Sequence, residues 1–161
     1  MATVSVLNCK DISFRRKIKS LANFVINKFM SSHVADQIYV QVVIKKHIDD
    51  SDSPVGTCVW EDERICGREF TIELATRDLN DNDRHLTQDN ILQNLAHELV
   101  HLKQWAKGEK VFHERTDNVR YKGKLYRSDK MNYWEYPWEI EAYGWELSLM
   151  TLWKESLEKS K

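Results

Sequence analysis

The sequence predicts an α+β fold, a minimal domain in which helices lie before and after a small sheet. Two observations lead to this expectation. Apolar residues recur at helical spacing near residues 11–32, 87–107 and 138–157. Between the first two of these segments, apolar residues alternate with polar ones, as in strands with one buried face. The expected order is a helix, three or more strands, a helix, an irregular segment and a last helix.

The first predicted helix lies in "DISFRRKIKSLANFVINKFMSS". One face of it collects Phe14, Ile18, Leu21, Val25 and Phe29. The segment "IYVQVVIKK" follows as a β-branched strand. Two more strands are expected around an acidic turn in "VGTCVWEDERICGREFTIELA". The tracts "HIDDSDSP" and "TRDLNDNDRHLT" are predicted to be polar loops.

The second helix is expected over residues 87–107, with Thr87 as its N-cap and Gly108 as its C-terminal stop. A short hairpin is predicted around Gly123, and Pro137 is placed where the last helix can begin. Core packing is the expected use of a large apolar face on that helix, which collects Trp138, Trp145, Leu149 and Trp153.

Length and composition predict a single domain over residues 1–161. Lys and Arg number 24 against 25 Asp and Glu, a balance that removes the main electrostatic argument for nucleic-acid binding. No stretch has the apolar length of a leader or a membrane span, and no membrane partner is expected. Cys9, Cys58 and Cys66 have no tight spacing, and free thiols in a reducing compartment are expected. The predicted location is therefore the cytoplasm.

The stretch "NLAHELVHLKQW" carries the main functional signal. His97 and His101 are one helical turn apart and point the same way, so both imidazoles can reach one ion at zinc–nitrogen distances near ~2 Å. Glu98 is rotated by about 100° and can take a proton from a water beside the metal. The alternative is a polar helix face with two solvated histidines.

A catalytic zinc site usually has three protein ligands, and the segment "YWEYPWEIEAYGWE" offers the third. Glu139 is favoured, because Ala142 one turn later would allow the two helices to approach closely. Glu141 projects nearly opposite and remains the alternative. A further alternative is that Glu139 and Glu141 are both ordinary surface carboxylates that bind no metal.

"HELVH" followed by "EIEAY" resembles the zincin metallopeptidases, in particular the gluzincin arrangement and its compact bacterial and phage members. The resemblance implies one zinc ion per chain, bound by His97, His101 and Glu139, and a general base at Glu98. It also implies an extended peptide or protein substrate paired to a strand, for which "REFTIELA" is the candidate. Many members have Asp or Asn after the Glu-x-x-Ala pattern, where this chain has Tyr143. The group supporting the first histidine is therefore open.

The expected reaction is zinc-dependent hydrolysis of peptide bonds, with Glu98 transferring the water's proton to the leaving amine. The candidate oxyanion donors remain open: Tyr143, His113, Tyr121, Tyr126 and Tyr133. One alternative function is a binding or regulatory module that uses the zincin fold without proteolysis. Another is a DNA-associated protease, because the first helix carries several Lys and Arg residues.

Overall fold

The described part of the chain comprises residues 1–48, 55–62, 64–113, 116 and 118–159 of the computed structural model. It contains four α-helices, nine strands and two short 3-10 helices, Ser128–Lys130 and Tyr133–Glu135. The N-terminal half contains β1 (Thr3–Leu7), α1 (Ile12–Phe29), α2 (Ser32–Ala35), β2 (Tyr39–Lys45), β3 (Gly56–Trp60) and β4 (Glu69–Ala75). The C-terminal half contains β5 (Arg77–Asp78), β6 (Arg84–His85), α3 (Gln88–Ala106), β7 (Lys110–His113), β8 (Asn118–Tyr121), β9 (Lys124–Arg127) and α4 (Pro137–Lys159).

The main sheet has the strand order β1–β2–β4–β3. The first three strands are parallel, and β3 runs antiparallel to β4 at the edge. Buried and exposed residues alternate along β2 and β4, since one face of each strand packs on the core. Val40, Val42, Phe70, Ile72 and Leu74 are almost fully buried there.

Two expectations about this sheet were wrong. No strand was expected before the first helix, whereas β1 precedes α1 and pairs with β2. The segment "REFTIELA" was the candidate for pairing with substrate, but β4 lies between β2 and β3 and both of its edges are hydrogen-bonded. In the part of the chain that the structure describes, the edge nearest α3 belongs to β3.

The helix α3 lies at the centre of the molecule. It packs on the sheet through β3 and β4, and α1 and α4 contact it from other directions. Its apolar side is almost fully buried and includes Leu92, Leu95, Leu99 and Leu102. Because even its polar side is covered by neighbouring elements, side chains such as Gln104 are buried as well.

The predicted α+β fold is confirmed, and so are the local signals that begin and end its helices. The Thr87 hydroxyl accepts a hydrogen bond from Asn90 N, and the Asn90 side chain accepts one from Thr87 N, which completes a capping box. Gly108 adopts a φ of +65° just after α3. Pro137 is the first residue of α4, and the hairpin around Gly123 is formed by β8 and β9.

The predicted packing role of the last helix is also confirmed. Trp138, Leu149 and Trp153 are buried, and Trp145 packs against the main core. Most of the predicted loop "HIDDSDSP" lies outside the described residues. None of the helices in the described ranges has the length and apolar character required to cross a bilayer.

Candidate metal centre

His97 and His101 project from the middle of α3 into one cavity. The Nε2 atoms of the two rings are 3.2 Å apart, and each residue is 8% exposed. This close approach follows from the helix, which places residues four apart one above the other on the same face. The pair therefore presents two imidazole nitrogens to a common point.

Glu139 reaches the same point from the first turn of α4. Its Oε2 atom lies 3.4 Å from His97 Nε2 and 3.2 Å from His101 Nε2. Ala142, which is fully buried, lies one turn later and leaves room for the two helices to pack closely. The structure thus brings His97, His101 and Glu139 together as a buried group whose donor atoms could hold one metal ion.

Glu141, the alternative third ligand, lies elsewhere. Its carboxylate accepts hydrogen bonds from Gln104 Nε2 at 2.9 Å and from the Tyr121 hydroxyl at 2.7 Å. Lys103 and Lys122 pair with it at 2.9 and 2.8 Å. Burial alone would raise the pKa of Glu141, but these donors outweigh it and lower the pKa to about 2. Glu141 therefore ties α4 to α3 and to the β8–β9 hairpin.

The second ring nitrogen of each histidine also has a partner. His97 Nδ1 lies 3.0 Å from Glu146 Oε2, and Glu146 in turn accepts a hydrogen bond from Gln93 Nε2 at 2.8 Å. His101 Nδ1 lies 3.0 Å from Gln104 Oε1. Such partners fix the orientation of an imidazole, so that its Nε2 stays directed at the ligand position.

Sequence reasoning missed Glu146 as the support for His97. The supporting group was left open, because the position after Glu-x-x-Ala is Tyr143. The Tyr143 ring packs edge-on against the His97 ring, with centroids 4.5 Å apart. Glu146 lies two turns after Glu139 on the same face of α4, and that spacing was the available signal. Gln104, three residues after His101, could have been found in the same way.

The charges of the group are strongly coupled. Burial alone would lower the pKa of His97, but hydrogen bonds to Glu139 and Glu146 outweigh it and raise the pKa to about 9. Burial acts to raise the pKa of Glu139, yet its contacts with His101 and His97 hold that pKa well below the ordinary value. An ion at this point would replace the attraction between the imidazoles and the carboxylate.

Glu98 faces the same cavity from the side of β3. It is 7% exposed, and its carboxylate lies against Gly56, which has no side chain to displace it. Burial raises the pKa of Glu98, and the neighbouring histidines act in the opposite direction. A carboxylate with a raised pKa is a better proton acceptor than an exposed one.

The cavity has a volume of about 220 Å³. It is lined by Val55, Gly56, Thr57, Cys58, His97, Glu98, His101, Trp105, Lys110, Tyr133, Glu139 and Tyr143. The strand β3, the group formed by His97, His101 and Glu139, and the Glu98 side chain therefore line the same cavity. That space is large enough for a peptide group and one side chain, but smaller than the pockets that enclose whole ligands.

Two of the five candidate oxyanion donors line this cavity, namely Tyr133 and Tyr143. The Tyr133 hydroxyl donates a hydrogen bond to Glu139 Oε2 at 2.8 Å, and burial raises the pKa of Tyr133 so that it stays protonated. The other three lie away from it: Tyr121 contacts Glu141, Tyr126 packs near Trp138, and His113 is exposed.

Comparison with known proteins identifies no relative: no family model matches the chain, and neither a curated protein nor a solved structure matches it.

Proposed function

We propose that this protein is a zinc-dependent peptidase of the zincin type, with Glu98 as its general base. One observation carries the proposal. The donor atoms of His97, His101 and Glu139, which could hold a metal ion, face one cavity beside an edge strand. The buried carboxylate of Glu98, the residue after His97 on α3, faces the same cavity. A purely structural metal site has no use for a base in that position.

Zinc is proposed because of the donor set and its spacing. In a tetrahedral site with zinc–nitrogen and zinc–oxygen bonds of ~2.0–2.1 Å, neighbouring donor atoms lie about 3.3–3.4 Å apart. The three distances within the group are 3.2, 3.2 and 3.4 Å. Two histidines and one glutamate are also a usual set for catalytic zinc, which leaves one position for water or substrate.

In this proposal each residue of the cavity has a separate task. Bound zinc supplies Lewis-acid chemistry, which makes a water molecule acidic and polarises a carbonyl group. Glu98 accepts the proton of the attacking water and passes it to the leaving amine. The Tyr133 hydroxyl donates its one proton to Glu139 Oε2, and it would turn to the developing oxyanion when that carboxylate oxygen binds zinc. Glu146 and Gln104 keep the two imidazoles in position.

The position of β3 supports a peptide as the substrate. Gly56, Thr57 and Cys58 of this edge strand line the cavity, together with Val55 directly before the strand. The main-chain groups of an edge strand can pair with an extended peptide, which would align a scissile bond beside Glu98.

A binding module without proteolysis is the second candidate, and the small volume of the cavity favours it. At about 220 Å³ the cavity leaves most of a peptide outside, so specificity has to come from the surface around it. The two candidates differ in whether Glu98 is needed for anything other than packing.

The decisive experiment combines zinc content with peptide cleavage. Elemental mass spectrometry of the purified protein should find about one zinc per chain. Glu98→Gln should keep the zinc and lose cleavage of a denatured protein mixture, followed by mass spectrometry of new peptide ends. Glu139→Gln should lose most of the zinc. Glu155→Gln, an exposed position on α4, is the matched control and should resemble the wild type.

The outcomes separate the candidates. Zinc without cleavage in the wild type would favour the binding module. Equal cleavage by the wild type and Glu98→Gln would overturn the mechanism, and a folded protein that takes up no added zinc would overturn the proposal as a whole.

A further inference from the structure

Lys110 is the first residue of β7, and its side chain lines the cavity that contains the metal-binding group. Its ammonium lies between two indole rings, 4.9 Å from the centroid of Trp105 and 5.1 Å from that of Trp138. Trp105 belongs to the last turn of α3 and Trp138 to the first turn of α4. The end of the lysine is therefore held at a defined place by the two helices that carry the metal ligands.

The ammonium of Lys110 has aromatic faces around it and, among the described residues, no carboxylate in contact. No carboxylate among the described residues lies within ion-pair distance of its Nζ, whereas two other lysines nearby are paired. Lys103 contacts Glu109 at 2.6 Å and Glu141 at 2.9 Å, and Lys122 contacts Glu141 at 2.8 Å. Indole rings attract a cation but do not accept its hydrogen bonds as a carboxylate does.

This cation is also partly removed from water. Burial lowers the pKa of Lys110, while the nearby carboxylates of Glu139 and Glu98 act to raise it. A partly desolvated ammonium that no carboxylate of the described residues contacts is a favourable place for a ligand carboxylate, because the pair then forms where water is partly excluded. The metal-binding group occupies the same cavity, so that carboxylate would be close to the reacting peptide bond.

We propose that Lys110 binds a substrate carboxylate next to the scissile bond, and that this carboxylate comes from an acidic side chain or from a free C-terminus. The position of this carboxylate beside a cleaved bond rests on the proposed peptidase function. The binding of the carboxylate to Lys110 does not depend on cleavage. The small cavity agrees with this, since it has room for the reacting group and one side chain.

Binding is tested with zinc-loaded protein and matched probes. The monohydroxamates of succinate, glutarate and adipate carry a zinc-binding group at one end and a carboxylate at the other. The corresponding amides have the same length without the charge. Titration calorimetry should show that the wild type prefers at least one acid over its amide by about tenfold, which is about 1.4 kcal/mol.

Variants of Lys110 assign that preference. Lys110→Met keeps a flexible stem between the indoles and should bring the acid-to-amide ratio close to one. Lys110→Glu should reverse the preference for the acid over the amide. Lys110→Arg should retain that preference, which would show that the site tolerates a substitution at this position. The control is Lys124→Met, because Lys124 also lies over an aromatic ring, Tyr126, but outside the cavity. This variant should keep the wild-type ratio.

A second arm distinguishes the two sources of a peptide carboxylate. Peptide pairs that differ in Glu against Gln inside the chain, or in a free against an amidated C-terminus, are offered to the wild type. Faster cleavage of the Glu member assigns Lys110 to an acidic side chain, and faster cleavage of the free-terminus member assigns it to the chain end.

The inference is overturned if acid and amide bind the wild type equally, if Lys110→Met keeps the preference, or if neither compound binds to protein whose zinc content is confirmed. Failure of the peptidase proposal is a separate result. In that case no peptide is cleaved, while the acid is still preferred and Lys110→Met still abolishes the preference.

Discussion

Gly56 is the residue of β3 that leaves room for the Glu98 carboxylate. A Cβ atom at this position would lie 2.8 Å from Glu98 Oε1 and 3.2 Å from Glu98 Cγ. Ordinary van der Waals contact begins at 3.4 Å, so Gly56→Ala requires a displacement of about 0.6 Å at Oε1. Because Glu98 is buried, its carboxylate has to move away from Gly56 within the cavity.

The size of the effect follows from that displacement. A misplacement of about 1 Å in a reacting group costs about 100-fold in rate, so a shift of about 0.6 Å should lower kcat on the order of tenfold. The three heavy atoms nearest to the new methyl group all belong to Glu98, and none belongs to His97, His101 or Glu139. Zinc content should therefore stay at the wild-type value. The measurements are kcat of the zinc-loaded protein, zinc by elemental mass spectrometry and Tm by circular dichroism.

Gly144→Ala is the matched control. A Cβ atom at Gly144 meets no heavy atom within 4 Å, and the residue lies inside α4, so alanine should stabilise the fold by about 1 kcal/mol and leave kcat unchanged. Wild-type kcat in a folded Gly56→Ala protein would refute the inference that Glu98 acts from its position against β3. Loss of zinc in the same variant would show that β3 holds the metal site and not only the base.

Three further predictions concern the partners of the site. Glu146→Ala removes the acceptor at His97 Nδ1 and should weaken zinc binding about 10- to 100-fold in competition with a chelating dye; unchanged affinity would mean that this contact does not support the metal. Tyr133→Phe should keep zinc and lower kcat about 100-fold in steady-state assays, and full activity would remove this hydroxyl from the mechanism. The pKa of Glu141 is about 2 in the folded protein, against an ordinary value of 4.5. Its contribution to the free energy of unfolding is therefore complete above pH 4.5 and lost as the pH falls through about 2. It amounts to about 3 kcal/mol, measurable by urea denaturation of metal-free protein. Glu141→Gln should lack this pH dependence, and identical pH profiles for the two proteins would contradict the assignment.

The helices were predictable because their signals are local. The apolar spacing, the Thr87 cap and Pro137 each act within a few residues, and the structure places α3 and α4 where these signals indicated. The sheet was harder to predict from the sequence. Strand β1 has only five residues and is stabilised by pairing with β2, in a register that places Thr3 opposite Tyr39. The two strands are more than thirty residues apart along the chain. No local pattern reports such a partner.

The same division applies to the site. The placement of His97 and His101 on one face, with Glu98 directly after the first histidine, follows from the helical repeat and needs no knowledge of the rest of the chain. The choice between Glu139 and Glu141 depended on how α4 packs against α3. A rotation of α4 by two residues would exchange the group that faces the imidazoles for the group that faces Lys103.

The amino-acid sequence alone therefore determined the helices and the two imidazoles with their neighbouring carboxylate, since all of these depend on spacing along a few turns. Only the tertiary structure decided which residues surround them. Glu146 on His97, Gly56 against Glu98 and Lys110 between its two indoles are contacts between elements that are distant along the chain. The physical reason is that packing in the core sets the rotation and distance of whole helices and strands, and no pattern within one segment contains that information.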